Sequence, residues 1–147
     1  MKADLAWDIA ETAHALRRFY DRRAQALGVT RAQWRVLAVL GREPGLKQVS
    51  LAERLDIEPI TLSRIIDRLE GAGLVARAPD PSDRRAWRLE LTAAATPLLT
   101  QLRGLAEDMA GEAFAELSVA EVEAMRRALA TIRANISNRE SLRKAVA

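Results

Sequence analysis

Between Ser50 and Thr92 the sequence leaves little choice of local structure. Ser50-Leu51-Ala52-Glu53 has the form of a capping box, in which a Ser hydroxyl and a Glu carboxylate satisfy backbone N–H groups at a helix start. A short helix is expected from there through Leu55, followed by a tight turn at Asp56-Ile57-Glu58. Pro59 suits the first position of a second helix, where its missing N–H has no intrahelical partner to lose. Leu62, Ile65, Ile66 and Leu69 recur at i, i+3, i+4 and i+7, forming one apolar stripe, and Gly71 and Gly73 stop the helix. Leu74-Val75-Ala76-Arg77 reads as a short strand, Asp80-Pro81-Ser82-Asp83 as a turn, and Arg88-Leu89-Glu90-Leu91 as a second strand. Helix, turn, helix and hairpin in that order are the plan of a winged helix-turn-helix, a module whose second helix can enter a DNA major groove.

The flanking sequence is helical. Asp4 to about Leu27 is amphipathic, with Leu5, Ile9, Leu16, Phe19 and Tyr20 as expected buried positions and Gly28 as its end. Thr30-Arg31-Ala32-Gln33 is a second capping box, and the helix it starts carries Val36, Leu37, Val39 and Leu40 and stops at or just after Gly41. Leu46 to Val49 reads as a very short strand. After the hairpin, Thr92 is placed to cap a long helix, and Pro97 within it calls for a kink or a short separate first turn. Leu98, Leu102, Leu105 and Met109 step by 4, 3 and 4, a heptad-like seam. Ser118-Val119-Ala120-Glu121 is a third box. It opens a last helix to about Ile136, with Val122, Met125, Leu129 and Ile132 on one face and the last ten residues expected to fray. The expected fold is mainly α, a winged helix-turn-helix over 30–92 with long terminal helices, 1–29 and 93–147. Their apolar stripes exceed what the small module can cover, so the surplus is expected to pack against a second copy.

Composition excludes more than it proves. Cysteine is absent and His14 is the single histidine, so no disulfide, thiolate site, thiol sensor or histidine-cluster metal site is expected. No cofactor is expected either. No apolar run approaches the ~18 residues of a membrane helix, and Met1-Lys2-Ala3-Asp4 turns acidic at once, so neither a membrane segment nor a signal peptide is expected, and a cytoplasmic location is. No nucleophile, base and orienting group stand together, so no enzyme is expected. The net charge of +3 is modest. Its distribution says more: Arg17, Arg18, Arg22, Arg23, Arg31 and Arg35 face only Asp21 over residues 17–35, and the tail adds Arg139, Arg143 and Lys144 against Glu140. From Glu58 to Thr92, by contrast, basic and acidic residues balance. Contact with nucleic acid therefore has to be argued from placement.

At 100° per residue from Leu62, the outward face of the second module helix carries Ile60, Arg64 and Asp67, flanked by Thr61 and Arg68, with Ser63 at its edge. Arg64, one turn in, is where such helices touch base edges, and an Arg fork matches guanine O6 and N7. Ile60 is apolar on a face that is otherwise polar, which a thymine methyl would explain. The plain alternative is a solvated face with an i, i+4 pair. The hairpin tip reads Asp83-Arg84-Arg85, two arginines able to reach a narrow minor groove, with Asp83 expected to hold one guanidinium through a bidentate pair. Its plain alternative is a surface salt bridge.

The run Asp80-Pro81-Ser82-Asp83-Arg84-Arg85 followed by Leu89, Leu91 and Thr92 resembles the wing of the MarR family of bacterial transcription regulators. Leu51-Ala52-Glu53-Arg54-Leu55, Leu69-Glu70-Gly71-Ala72-Gly73-Leu74-Val75 and the final helix from Leu117-Ser118 resemble the family as well. The resemblance implies a homodimeric regulator, by preference a repressor, acting on double-stranded DNA at a palindromic operator. It implies dimerisation through the terminal helices, minor-groove contact by Arg85, and release by a small aromatic ligand held between dimer and DNA-reading regions. Pro97 departs from the unbroken helix usual after the wing, and the family's cysteine-dependent peroxide sensors are excluded. His14, Arg17 and Trp34 are the candidate ligand walls, Trp34 by stacking on an aromatic ring; the alternatives are an ordinary surface or interface histidine and a packing tryptophan. Two other readings stay open: a winged-helix module that docks onto protein, and a DNA binder with no ligand response.

Overall fold

The computed structural model describes residues 1–146, with side chains as far as Leu142; Arg143 and Lys144 of the basic tail lie outside the described side chains and Ala147 outside the described residues. The elements are α1 (Lys2–Ala24), a 3-10 turn (Gln25–Leu27), α2 (Arg31–Arg42), β1 (Leu46–Lys47), α3 (Gln48–Leu55), α4 (Pro59–Gly71), β2 (Val75–Pro79), β3 (Trp87–Leu91), a second 3-10 turn (Ala93–Ala95), α5 (Thr96–Ala113) and α6 (Val119–Val146). The fold is mainly α with one small antiparallel sheet, ordered β1-β3-β2. That is the winged helix-turn-helix expected, with long terminal helices. By contacts the chain forms two units, residues 1–109 and 110–147.

In the first unit, Val36, Leu37 and Leu40 of α2, Leu51 and Leu55 of α3, Leu62, Ile66 and Leu69 of α4, Val75 of β2 and Leu89 of β3 form one core. The stripe read from Leu62 to Leu69 is therefore the inner face of α4, with Ile65 half-buried at its margin. The turn between α3 and α4 closes as expected. Asp56 sits in the left-handed region at φ 52°, the Ile57 N–H donates to the Ala52 carbonyl, and Pro59 takes the first position of α4. After α4, Gly73 at φ 72° lets the Leu74 N–H return to the Leu69 carbonyl, which aims the chain into β2. Register in the hairpin runs from Val75 opposite Leu91 to Pro79 opposite Trp87. Arg35 of α2 donates to the Leu55 carbonyl at 3.0 Å, placing a cation at the C-terminal end of α3.

Several local expectations are corrected. The box at Thr30 forms, the Gln33 N–H donating to the Thr30 hydroxyl and the Thr30 N–H to Gln33 Oε1, and so does the box at Ser118. The box at Ser50 does not: α3 already starts at Gln48, with Lys47 as its cap residue. Leu46 and Lys47 are pinned opposite Leu89 and Arg88 of β3, so the sheet sets where that helix begins. Thr92 does not cap a helix through its side chain. Its hydroxyl donates to the Gly73 carbonyl, and a 3-10 turn follows. Pro97 lies in the first turn of α5, so the separate short turn is found and α5 itself begins at Thr96. Along α1, Leu5 is exposed, and Ile9, Leu16, Phe19 and Tyr20 are half-buried where burial was expected. Tyr20 is the anchored one, its hydroxyl donating to the Leu102 carbonyl of α5 at 2.9 Å.

The second unit is dominated by α6, which continues to Val146 where an end near Ile136 was expected. Its apolar side chains Met125, Leu129, Ile132 and Ile136 are exposed.

Candidate nucleic-acid interface

The outer face of α4 is the one deduced from the period. Ile60, Thr61, Arg64, Asp67 and Arg68 are exposed, and Ser63 is half-buried at the edge. Ile60 keeps 67% of its surface, an apolar side chain held in solvent at the first turn. Among the described residues Arg64 and Arg68 have no acidic partner. The pairing of Asp67 with Arg64 that would make this an ordinary solvated face is absent, because Asp67 bonds elsewhere.

That other partner is Arg77 of β2. Its Nη2 donates to Asp67 Oδ1 at 2.7 Å and to the Ser63 carbonyl at 3.4 Å, and its Nη1 donates to Glu70 Oε2 at 2.6 Å. Its Nε donates to Gln48 Oε1 of α3 at 3.1 Å. One guanidinium thus joins both module helices to the sheet, and its side chain is only 14% exposed.

At the hairpin tip Asp83, Arg84 and Arg85 are all exposed. Asp83 does not hold a guanidinium. Its Oδ1 accepts the Arg85 backbone N–H at 3.0 Å, because a short Asp side chain in a turn closes most readily on the amide two residues on. Arg84 and Arg85 side chains are left without an acidic partner among the described residues.

The carboxylate that organises the hairpin is Asp80, buried at its base. Asp80 Oδ1 accepts the N–H groups of Ser82 and Asp83 at 2.9 and 3.0 Å and the Ser82 hydroxyl at 2.6 Å. Oδ2 accepts Arg88 Nε at 2.7 Å, with Lys47 Nζ at 3.8 Å. Lys47 and Arg88 stand opposite each other on β1 and β3, and Asp80 lies between their like charges. The hydrogen bond from Arg88, then those from Ser82, hold its carboxyl well below the usual carboxylate range.

The candidate ligand walls are dispersed. His14 and Arg17 are exposed on α1. Trp34 is half-buried, its ring 4.4 Å from that of Tyr20 and its Nε1 donating to Asp21 Oδ1 at 2.9 Å. Burial pushes the Asp21 carboxyl up, but hydrogen bonds from Arg31 and Trp34 and the charges of Arg31 and Arg17 outweigh it and leave it lowered. Arg17 and Trp34 therefore share Asp21 as a neighbour, and His14 does not join them. A cavity of about 340 Å³ lies instead among the end of α2, the end of β3 and the start of α5, lined by Leu40, Leu91, Thr92, Leu99 and Arg103 among others. None of the three candidate walls lines it. Among the described residues no group of three or more His, Asp or Glu side chains is placed to hold a metal, and no helix is long and apolar enough to cross a membrane.

Arg77, Asp80 and Asp21 were missed in the sequence. Asp80 carried a signal, since an Asp at the first position of a four-residue turn commonly accepts the following N–H groups. Arg77 and Asp21 carried none, because their partners come from other elements.

Residues 29–87 match the model of the MarR family. The transcriptional regulator PA3341, known from its crystal structure, is 32% identical to this chain, covering 91% of this chain and 98% of its own, with a TM-score of 0.83. Wild-type MarR from E. coli in its apo form is 26% identical over 87% of this chain and 95% of its own, with a TM-score of 0.76. A mutant MarR from E. coli complexed with operator DNA is 26% identical over 88% and 93%, with a TM-score of 0.74.

Proposed function

We propose that this chain, which belongs to the MarR family, is a sequence-specific DNA-binding regulator of transcription, a repressor that acts as a homodimer on a palindromic operator. One observation carries the reading. Arg64 and Arg68 on the outer face of α4 and Arg84 and Arg85 at the hairpin tip are exposed cations without acidic partners among the described residues, on the two elements that reach a duplex. Protein docking requires no such pattern.

Residues 30–92 are assigned to DNA reading, and 1–29 with 93–147 to dimerisation. Arg64 is assigned a guanine edge, Ile60 a thymine methyl, Thr61, Ser63 and Arg68 supporting contacts, and Arg84 and Arg85 the minor groove, with Asp83 shaping the tip beneath them. The protein acts in the cytoplasm, and no catalytic role or cofactor is assigned. Release by a small aromatic ligand, an acid or a phenol, is assigned to His14, Arg17 and Trp34. Such a ligand would meet the Trp34 ring and the Arg17 charge but not the indole N–H, which Asp21 already holds. A ligand that weakens DNA binding must itself be weakened by DNA to the same factor.

The experiment is selection of bound duplexes from a random pool, repeated with a panel of aromatic acids and phenols while intrinsic Trp fluorescence is read. The expected result is an inverted repeat with half-sites about 10 bp apart, depleted when an effective compound is present. Recovery of no enriched sequence would overturn the DNA reading. Enrichment unmoved by any compound at millimolar concentration would overturn the ligand reading alone.

A further inference from the structure

From Glu58 to Thr92 acidic and basic residues balance, yet Arg64, Arg68, Arg84 and Arg85 stand without acidic partners among the described residues while four of the six carboxylates, Asp67, Glu70, Asp80 and Asp83, are engaged. Asp80 is enclosed by Arg88 and Lys47, and Asp83 is turned onto a backbone N–H. Glu58 caps α4 without a side-chain bond and is exposed; the carboxylates within the helix are Asp67 and Glu70, on the same helix as Arg64 and Arg68. Left alone, Asp67 would stand one turn from Arg64 and Glu70 two residues from Arg68, and both would repel the phosphates. Both are drawn onto one guanidinium, that of Arg77, at 2.7 and 2.6 Å.

We propose that Arg77 is a positioning residue for DNA binding: its fork draws Asp67 and Glu70 back toward the sheet and so keeps two carboxylates out of the phosphate-facing field of the reading helix. The inference rests on the DNA-binding reading above and adds a residue to it that need not touch DNA. The geometry suits the task. Arg77 is largely buried, with Gln48 and the Ser63 carbonyl taking up its remaining donors, so its own direction is set by three elements. A guanidinium can hold two carboxylates in fixed directions where an ammonium acts as a single point charge.

The test is a mutant cycle on the full chain, read as binding of a fluorescent selected duplex and of a random-sequence duplex of equal length across a salt series. Arg77→Met keeps the apolar stem and removes the fork. It should weaken binding to both duplexes by about tenfold or more at low salt and flatten the salt dependence, since two uncovered carboxylates oppose phosphate contact. Asp67→Asn with Glu70→Gln should change the otherwise native protein by less than about threefold but restore most of the loss in the Arg77→Met background, a coupling that independent sites do not show. Thermal melts accompany every variant, and Arg77→Lys, which keeps the charge without the fork, runs the same cycle should Arg77→Met fail to fold. Equal effects of the carboxylate pair in both backgrounds, or Arg77→Met binding like the native chain, would overturn the proposal while leaving the DNA reading intact. A native chain that binds neither duplex would overturn both.

Discussion

The winged helix-turn-helix of residues 30–92, the head, and α6 solve opposite problems with the same kind of residue. In the head, Leu37, Leu40, Leu51, Leu62, Ile66, Leu69 and Leu89 are fully buried, and of its large apolar side chains Val49, Ile60 and Trp87 stay exposed, singly and on different elements. Along α6, Met125, Leu129, Ile132 and Ile136 step by 4, 3 and 4 yet remain 37 to 53% exposed. The first pattern is complete within one chain. The second is an apolar seam of heptad spacing, which is stable in water when another surface covers it. Periodicity alone does not say what a stripe packs against. In α4 it pointed inward, and in α6 we propose that it points to a second copy.

The comparison can be broken first at the seam. Leu129→Asp with Ile132→Asp should leave the head folded, abolish association in sedimentation at micromolar concentration, and remove operator binding almost entirely, because the two heads lose their linkage. Loss of folding in the head would show that the two regions are not separate problems. Leu62→Ala, by contrast, opens a cavity in a closed core and should cost about 2–5 kcal/mol in chemical denaturation. A smaller effect comes from the reading face. Arg64→Ala should cost about 1–3 kcal/mol on the preferred duplex and relax one position per half-site. Arg85→Ala should weaken selected and random duplexes alike and lower the salt slope by about 1 per head. Equal losses on both duplexes for both variants would remove the division of labour between helix and wing.

The same pattern of residues can also succeed in one place and fail in another. Thr30 and Ser50 both open a box of the form S/T-x-x-E/Q. Only Thr30 forms it: it caps α2 after Gly28-Val29, which belong to no strand, whereas Ser50 follows a strand already paired to β3. Thr30→Ala should therefore cost about 1 kcal/mol, and Ser50→Ala should stay within about 0.5 kcal/mol. Comparable losses in thermal melts would contradict the assignment of the helix start. This is also the measure of what was legible beforehand. The inner face of α4, the turn at Asp56, the hairpin and the exposed arginines follow from spacing along one element. The start of α3, the hydroxyl bond of Thr92 to Gly73 and the roles of Arg77 and Asp80 depend on which strands and helices meet, which a single linear pattern does not encode.

Asp80 adds a dependence on pH. Its folded-state pKa is lowered, so its contribution is fully present above the unfolded value of about 3.9 and is lost as pH falls through the folded one. Native stability should fall on acidification below about pH 4, and Asp80→Asn should lack that part of the acid slope. An unchanged slope in the variant would show that other carboxylates govern acid unfolding.

We propose that a head closed within one chain reads DNA only as a pair joined through the exposed seam. The most direct measurement is the stoichiometry of the complex by sedimentation, with a labelled selected duplex and the native chain. Two chains on one duplex, with no singly occupied species at full affinity, is the result this account predicts. A single chain bound to one half-site with undiminished affinity would contradict it.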